Sequence, residues 1–231
     1  MNAVLRREEK YALKYSEALY FSSMFEKLLQ KDSSSENGIY HVRSLYFDTI
    51  NDKDFFDKIN EQELRRKIRL RIYDLNEHTT KLELKQKQGV YQKKRSMSIL
   101  YQDALDLIQG NYSVLLKYNH DFANELYGIM STECYQPKTI IEYQRKAFMA
   151  KENNIRLTFD SDIRATESNF DLFSKNLLLN NILYVDNVIF EVKYNQFLLG
   201  YISEIISHID RRTVTSSKYC LGRSIGYPLY L

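Results

Sequence analysis

Cations at every second residue are the first chemistry this sequence offers. In KIRLRIY, Lys67, Arg69 and Arg71 alternate with Ile68, Leu70 and Ile72; in KLELKQK, Lys81, Glu83, Lys85 and Lys87 alternate with Leu82 and Leu84. A period of two is that of a half-buried strand, so each segment is expected to show one apolar and one charged face. The stretch from Arg65 to Arg95 holds eleven Lys and Arg against three Asp and Glu, a net +8, while the whole chain is only +3. Everything outside it therefore sums to −5, and such concentration points to an anionic ligand rather than to general solubility.

Other segments repeat the pattern. Arg6, Glu8 and Lys10 share one parity in RREEKYAL, and Arg156, Thr158, Asp160, Asp162 and Arg164 lie opposite Ile155, Leu157 and Phe159. Glu191 and Lys193 lie opposite Phe190 and Val192, and YQKKRSMSIL carries Lys93, Lys94 and Arg95 beyond a turn at Gly89. A single charged strand face is most often a solvated surface. Five or more are better explained by an open sheet with one wet face, or by a closed barrel that turns the charges inward; the barrel is the expectation.

Other chemistries find little support. Gly222-Arg-Ser-Ile-Gly226 fits G-x-S-x-G, but no Asp or His follows to complete a triad. No G-x-x-x-x-G-K-[ST] loop occurs, and the four His, at 41, 78, 120 and 208, show no pairing. Cys134 and Cys220 form no C-x-x-C and imply no disulfide scaffold. Asp160 and Asp162 could hold a metal or balance Arg156 and Arg164; the pairs Arg65-Arg66 and Arg211-Arg212 are read as solvated. Tyr11, Tyr46, Tyr73 and Tyr143 fall within strand patterns, as core or barrel lining rather than base-stacking platforms, so no nucleic acid is expected.

The elements that must position these residues read as α+β. With only seven Gly, two Pro and no low-complexity linker, residues 1–231 are expected to form a single domain. No secretory signal or membrane span is apparent, which gives a cytoplasmic expectation. A helix is predicted over Ser16–Lys31, then a DSSSENG loop, the strand HVRSLYFDT and a loop or short helix at NDKDFFDKIN. Beyond the cationic strands, YQDALDLIQG and SVLLKYNHDFANELYGIM read as helical. KTIIEYQRKAFMA, NIRLTFDSDIRA and NILYVDNVIFEVKYN read as strands, and QFLLGYISEIISHI as an amphipathic helix.

Taken in order, RREEKYAL, RSLYFDT, KIRLRIY, KLELKQK, IEYQRKAF, RLTFDSDIRA, FEVKYN and SSKYCLGR resemble the VTC domain, the polyphosphate polymerase branch of the triphosphate tunnel metalloenzyme superfamily. The resemblance runs from Arg6 to Arg223. It implies an antiparallel eight-stranded β-barrel, the triphosphate tunnel fold, with helices inserted and packed outside. It carries over Lys10 from the E-x-K element, Arg69 and Arg71 from R-x-R, Lys85, Lys94 (with Lys93 adjacent), Arg145 from Y-x-R, Arg156, and Lys218 from SKY as catalytic residues. Of these, Arg69, Arg71, Lys85, Arg145, Arg156 and Lys218 would grip phosphates.

The resemblance further implies a Mn²⁺ or Mg²⁺ on Glu191, with Glu83 and Glu8 as further carboxylates. Arg6 stands where the superfamily signature ExExK has its first Glu, which leaves Glu8 as the one carboxylate of that signature and argues against the simple hydrolase branch. The implied activity is polyphosphate polymerase, a phosphotransferase with ATP and inorganic polyphosphate as partners. The alternatives are an inorganic or organic triphosphatase and a non-catalytic polyphosphate-binding module. In the polymerase reading the nucleophile is an ionised phosphate, so no Ser, Cys or His base is needed.

Overall fold

The alternating segments form strands. The computed structural model describes residues 6–32, 38–89, 91–183, 186–209 and 217–226. Its elements are β1 (Arg6–Lys14), α1 (Tyr15–Leu28), β2 (Gln30–Lys31), β3 (Ile39–Thr49), α2 (Lys53–Ile59), β4 (Leu64–Ile72), β5 (Thr79–Gln88) and β6 (Tyr91–Leu100). There follow α3 (Tyr101–Ile108), a 3₁₀ helix (Tyr112–Tyr118), α4 (Asp121–Thr132), β7 (Tyr135–Ala150), a 3₁₀ turn (Glu152–Asn154) and β8 (Ile155–Thr166). β9 (Asn180–Asn181), β10 (Asn187–Asn195), α5 (Gly200–Ser207) and α6 (Lys218–Arg223) complete the order. Most of the expected DSSSENG loop and the Arg211-Arg212 pair lie outside the described residues.

The fold is α+β with a large antiparallel sheet whose hydrogen-bonded order is β1-β10-β8-β7-β3-β4-β5-β6. β1 and β6 stand at its ends, and among the described residues no pairing joins them, so the sheet is open where the expected barrel would close. The chain divides into two compact units, one built from 1–41, 143–163 and 183–216, the other from 42–142, 164–182 and 217–231. No described helix is long and apolar enough to cross a membrane.

In the first unit, Tyr11 lies opposite Phe190 and Phe190 opposite Phe159, with Val192 opposite Leu157. This apolar face is covered by Phe21 and Phe25 of α1 and by Ile202, Ile205 and Ile206 of α5. Phe190 is stacked between Phe159, 4.5 Å away between ring centres, and Phe25, at 6.0 Å. Burying each such ring contributes roughly 2–3 kcal/mol. The first turn of α1 is set by Glu17, whose carboxylate accepts from the Lys14 backbone N–H at 2.8 Å. The helix stops three residues short of the predicted end because Gln30 and Lys31 pair with Met149 and Phe148 of β7. Tertiary pairing overrides helix propensity there.

In the second unit, Leu45, Ile68, Leu70, Leu82 and Leu84 are fully buried against Leu107, Leu115, Ala123, Leu126 and Met130 from the following helices. The helical reading of SVLLKYNHDFANELYGIM is corrected to two pieces. Asn119 adopts φ 44°, a left-handed conformation that Asn tolerates. His120 then caps α4, its Nδ1 accepting from the Phe122 backbone N–H at 3.0 Å. His120 is thus a capping residue.

α6 is anchored by buried polar contacts. Asp48 on β3 accepts from the backbone N–H groups of Thr49, Asp54 and Phe55 and from the Tyr219 hydroxyl at 2.5 Å. Arg223 donates to Asp52 at 2.7 and 3.1 Å and to Glu167 at 2.6 Å. Arg66, read from sequence as solvated, instead reaches Asp54, Glu133 and the Tyr135 hydroxyl. The Tyr135 hydroxyl in turn donates to Asp54 at 2.7 Å. Burial, reinforced by the nearby Asp48 charge, pushes the Asp54 carboxyl up to about 7.

Gly222 explains the G-x-S-x-G match as packing. A Cβ there would stand 2.8 Å from Ile141 Cδ1 and 3.1 Å from Thr139 Oγ1, and Ser224 Oγ donates to the Leu221 carbonyl at 2.5 Å. Gly222→Ala is therefore expected to destabilise the fold by about 1–3 kcal/mol through overpacking. Urea denaturation would measure this, and a wild-type midpoint would refute it.

Candidate functional site

In the second unit the strand registers set the cations in rows. Lys67 is directly opposite Lys85, which is opposite Lys94, so three lysines cross three adjacent strands in line. The next rows are Arg69, Glu83 and Ser96, then Arg71, Lys81 and Ser98. β3 extends them with Tyr46 opposite Arg69 and Ser44 opposite Arg71. Lys94 shares this face with Lys85, whereas Lys93 is opposite Gln86 and of the other parity.

One buried carboxylate sits among these charges. Glu83 accepts from Arg69 at 2.6 Å, lies 3.8 Å from Arg71, and contacts Lys94. Burial alone would raise its pKa, but Arg69, Arg71 and Lys94 outweigh that and hold it down to about 2. Tyr46 accepts from Arg69 Nη1 at 2.9 Å and is buried. Against the upward effect of burial, Arg69, Arg71 and Lys67 draw its phenol down to about 8. Tyr46 also stacks on Tyr219 of α6, 5.2 Å between ring centres. Lys67 donates to Ser217 Oγ and lies 5.7 Å from the Tyr219 ring centre. Lys218 is the first residue of α6, directly after the N-cap Ser217.

The first unit arranges its charges differently. Glu8 is opposite Lys193 and Lys10 opposite Glu191, giving a square in which carboxylates and ammoniums alternate. Lys10 bridges to Glu8 at 3.1 Å and Lys193 to Glu191 at 2.5 Å. Burial works to lower Lys10, but Glu191 and Glu8 overcome it and raise its pKa. For Lys193 burial wins, lowering it to about 8 despite the same two carboxylates.

Arg145 on β7 forks onto Asp160 through Nε and Nη2 at 2.6 and 2.7 Å. Asp160, read from sequence as a metal ligand or a balance for Arg156 and Arg164, is thus the partner of Arg145. Arg156 instead donates to Asp32 at 2.6 Å and Tyr40 at 2.8 Å, and Arg164 pairs with Glu142. Two buried polar atoms on this face, Thr158 Oγ1 and Arg156 Nε, have no hydrogen-bond partner among the described residues.

The expected residues therefore fall into two groups. Arg69, Arg71, Glu83, Lys85 and Lys94 share one sheet face, with Lys218 on the helix docked beside it; Glu8, Lys10, Arg145, Arg156 and Glu191 belong to the first unit. Lys67 and Lys193 were not among the expected site residues, though their parity with Arg69 and Glu191 was a signal for both. Tyr46 gave none, because its place opposite Arg69 depends on strand pairing.

Among the described residues no cluster of three His, Cys, Asp or Glu side chains forms a metal cage. Mg²⁺ and Mn²⁺ are hard ions commonly held by one or two carboxylates together with substrate phosphates. Glu8 and Glu191, which both act on Lys10 and Lys193, match that donor set. Glu83 does not, since Arg69, Arg71 and Lys94 surround it with three positive charges and no second carboxylate stands opposite it on β4 or β6.

The sequence profile of the VTC domain matches residues 5–227. The chain belongs to the VTC domain family. No curated protein matches its sequence. Among solved structures it is similar to a Bacillus halodurans protein described as a "putative adenylate cyclase", at 12% identity over 93% of both chains with a TM-score of 0.51. It is also similar to a conserved hypothetical protein of Pyrococcus furiosus, at 7% identity over 92% of this chain and 96% of that one, TM-score 0.48. A third, from Pyrococcus horikoshii, shares 7% identity over 94% and 98%, TM-score 0.46. At these identities only the fold is shared, and the first of the three is the one that supports it.

In this VTC domain, Glu83 stabilises the fold through its charge. Its folded pKa lies below the ordinary carboxylate value of 4.5, so that contribution is complete above pH 4.5 and is lost as the pH falls toward 2. Glu83→Gln should cost on the order of 3 kcal/mol at pH 7. The gap to wild type should narrow as the pH drops from 4.5 toward 2. Chemical denaturation across that range measures it, and a pH-independent gap would show that the charge is not responsible.

Proposed function

We propose that this VTC domain is a metal-dependent phosphotransferase that moves the γ-phosphate of ATP onto inorganic polyphosphate. The observation that carries the reading is the row Lys67–Lys85–Lys94. Like charges directly opposed on neighbouring strands repel, and a bound triphosphate would offset that repulsion. Closure of the sheet into the family's eight-stranded barrel, and the action of the chain as a single domain, are part of the same proposal.

Phosphoryl transfer asks chiefly for positioning and neutralisation of charge. Arg69 and Arg71, stiffened by Glu83, Tyr46 and Ser44, present forked donors suited to phosphate oxygens. Lys85 and Lys94 add point charges, and Lys218 adds one from α6. Lys10, Arg145 and Arg156 serve the same ligand class in the first unit. Glu191, with Glu8, would hold a Mg²⁺ or Mn²⁺, which would neutralise part of the negative charge of the phosphates.

In the transfer, an ionised terminal oxygen of the polyphosphate forms a bond to the γ-phosphorus while the bond from that phosphorus to the β-bridging oxygen breaks. ADP leaves with that electron pair, and polyphosphate grows by one unit. The nucleophile arrives without a proton, so this chain needs no general base.

Two measurements test the reading. Removing one member of the lysine row relieves repulsion while weakening the ligand site. Lys85→Ala should therefore keep or raise the melting temperature while weakening tripolyphosphate binding by at least about tenfold. Unchanged binding would remove the row from the site.

Incubation with γ-labelled ATP and Mn²⁺ should yield a ladder of labelled polyphosphate on a gel, absent with Glu191→Ala. Free phosphate without a ladder would make the protein a triphosphatase. Tight tripolyphosphate binding without turnover would make it a binding module.

A further inference from the structure

The first unit contains a cavity of about 620 Å³ lined by Gln30, Lys31, Met149, Ala150, Lys151, Asn154, Arg156 and Asn195. Its size falls within the range of small-molecule sites, roughly 300–1,000 Å³. We propose that it receives the nucleoside portion of the nucleoside triphosphate donor. The inference rests on the triphosphate reading above and adds the part of the ligand that reading leaves unplaced.

The charge balance of the wall decides between a nucleoside and a further stretch of polyphosphate. Three cations line the cavity, yet Lys31 is paired with Glu26 at 2.5 Å and Arg156 with Asp32 at 2.6 Å. Among the described residues that leaves Lys151 as the wall's main surplus of positive charge, too little for a chain carrying about one negative charge per phosphate. The remaining wall is of another kind. Gln30, Asn154 and Asn195 offer carboxamides, each with donors and an acceptor able to meet a base edge or ribose hydroxyl. Met149 and Ala150 offer an apolar surface, and a thioether packs well against an aromatic ring.

Arg156 connects this cavity to the charged face of its unit. It lines the wall, and on β8 it stands directly opposite Lys193, beside the square formed by Glu8, Lys10 and Glu191. A nucleoside in the cavity would direct its phosphates past Arg156 toward those residues. The Nε of Arg156, buried and without a partner among the described residues, is a donor at that junction.

The backbone holds the carboxamide wall in place. Asn153 and Asn154 adopt φ 53° and 48°, and the Asn153 side-chain amide donates to the Phe197 carbonyl at 2.9 Å. Gln30 is fixed by pairing with Met149.

Calorimetric titration of the intact protein with ATP and, separately, with tripolyphosphate tests the proposal. The variants are Asn154→Gly, which removes the carboxamide while suiting the positive φ, and Gln30→Ala, at an exposed position. Each should weaken ATP about five- to tenfold, the loss of one or two hydrogen bonds, and leave tripolyphosphate affinity and the melting temperature unchanged. ATP affinity unaffected in both variants, or ATP and tripolyphosphate weakened equally, would overturn the nucleoside site while leaving the triphosphate reading intact. If the wild type bound neither ligand, the triphosphate reading would fall, and this subsite with it.

Discussion

Repulsion between cations held on one strand face is the constraint on which the second unit depends. Side chains directly opposed across an antiparallel pair have Cβ atoms about 5 Å apart. Two unit charges at that separation repel by about 3 kcal/mol at an effective dielectric of 20, and less where the side chains splay. The opposite face offsets this. Leu45, Ile68, Leu70, Leu82 and Leu84 are fully buried, at roughly 2 kcal/mol each. The strands stay paired because their apolar side outweighs the cost of their charged side.

Glu83 shows how the remaining cost is distributed. A single carboxylate at the centre of the face takes Arg69, Arg71 and Lys94 as partners and fixes their directions. Lys67 is restrained by Ser217 and the Tyr219 ring. The cations of the face are thereby held in fixed directions. The first unit solves a similar problem by alternation, with Glu8, Lys10, Glu191 and Lys193 balanced in a square and Arg145 matched to Asp160.

α6 links this electrostatics to the core. Asp48 satisfies three backbone donors and the Tyr219 hydroxyl, Arg223 is held by Asp52 and Glu167, and Gly222 permits the close approach to Ile141. Tyr219 passes this order to Tyr46 by stacking, and Tyr46 passes it to Arg69 by a hydrogen bond. Buried networks of this kind are costly unless fully satisfied, and here nearly every member has a partner.

The period-two alternation in KIRLRIY, KLELKQK, FEVKYN and RLTFDSDIR was enough to specify strands, to separate their faces, and to mark Arg69, Arg71, Lys85, Glu191 and Arg156 as residues of charged faces. That much is legible because side-chain direction in a strand is a local property. Strand order and register were not legible, since they depend on contacts between segments distant in sequence. Register alone aligned Lys67 with Lys85 and Lys94, put Tyr46 opposite Arg69, and separated Lys94 from Lys93. Partner choice was likewise tertiary: Asp160 went to Arg145, Arg156 to Asp32, and Arg66 to a buried network rather than to solvent. Long polar side chains reach several neighbours, and only the packed fold decides which one they meet.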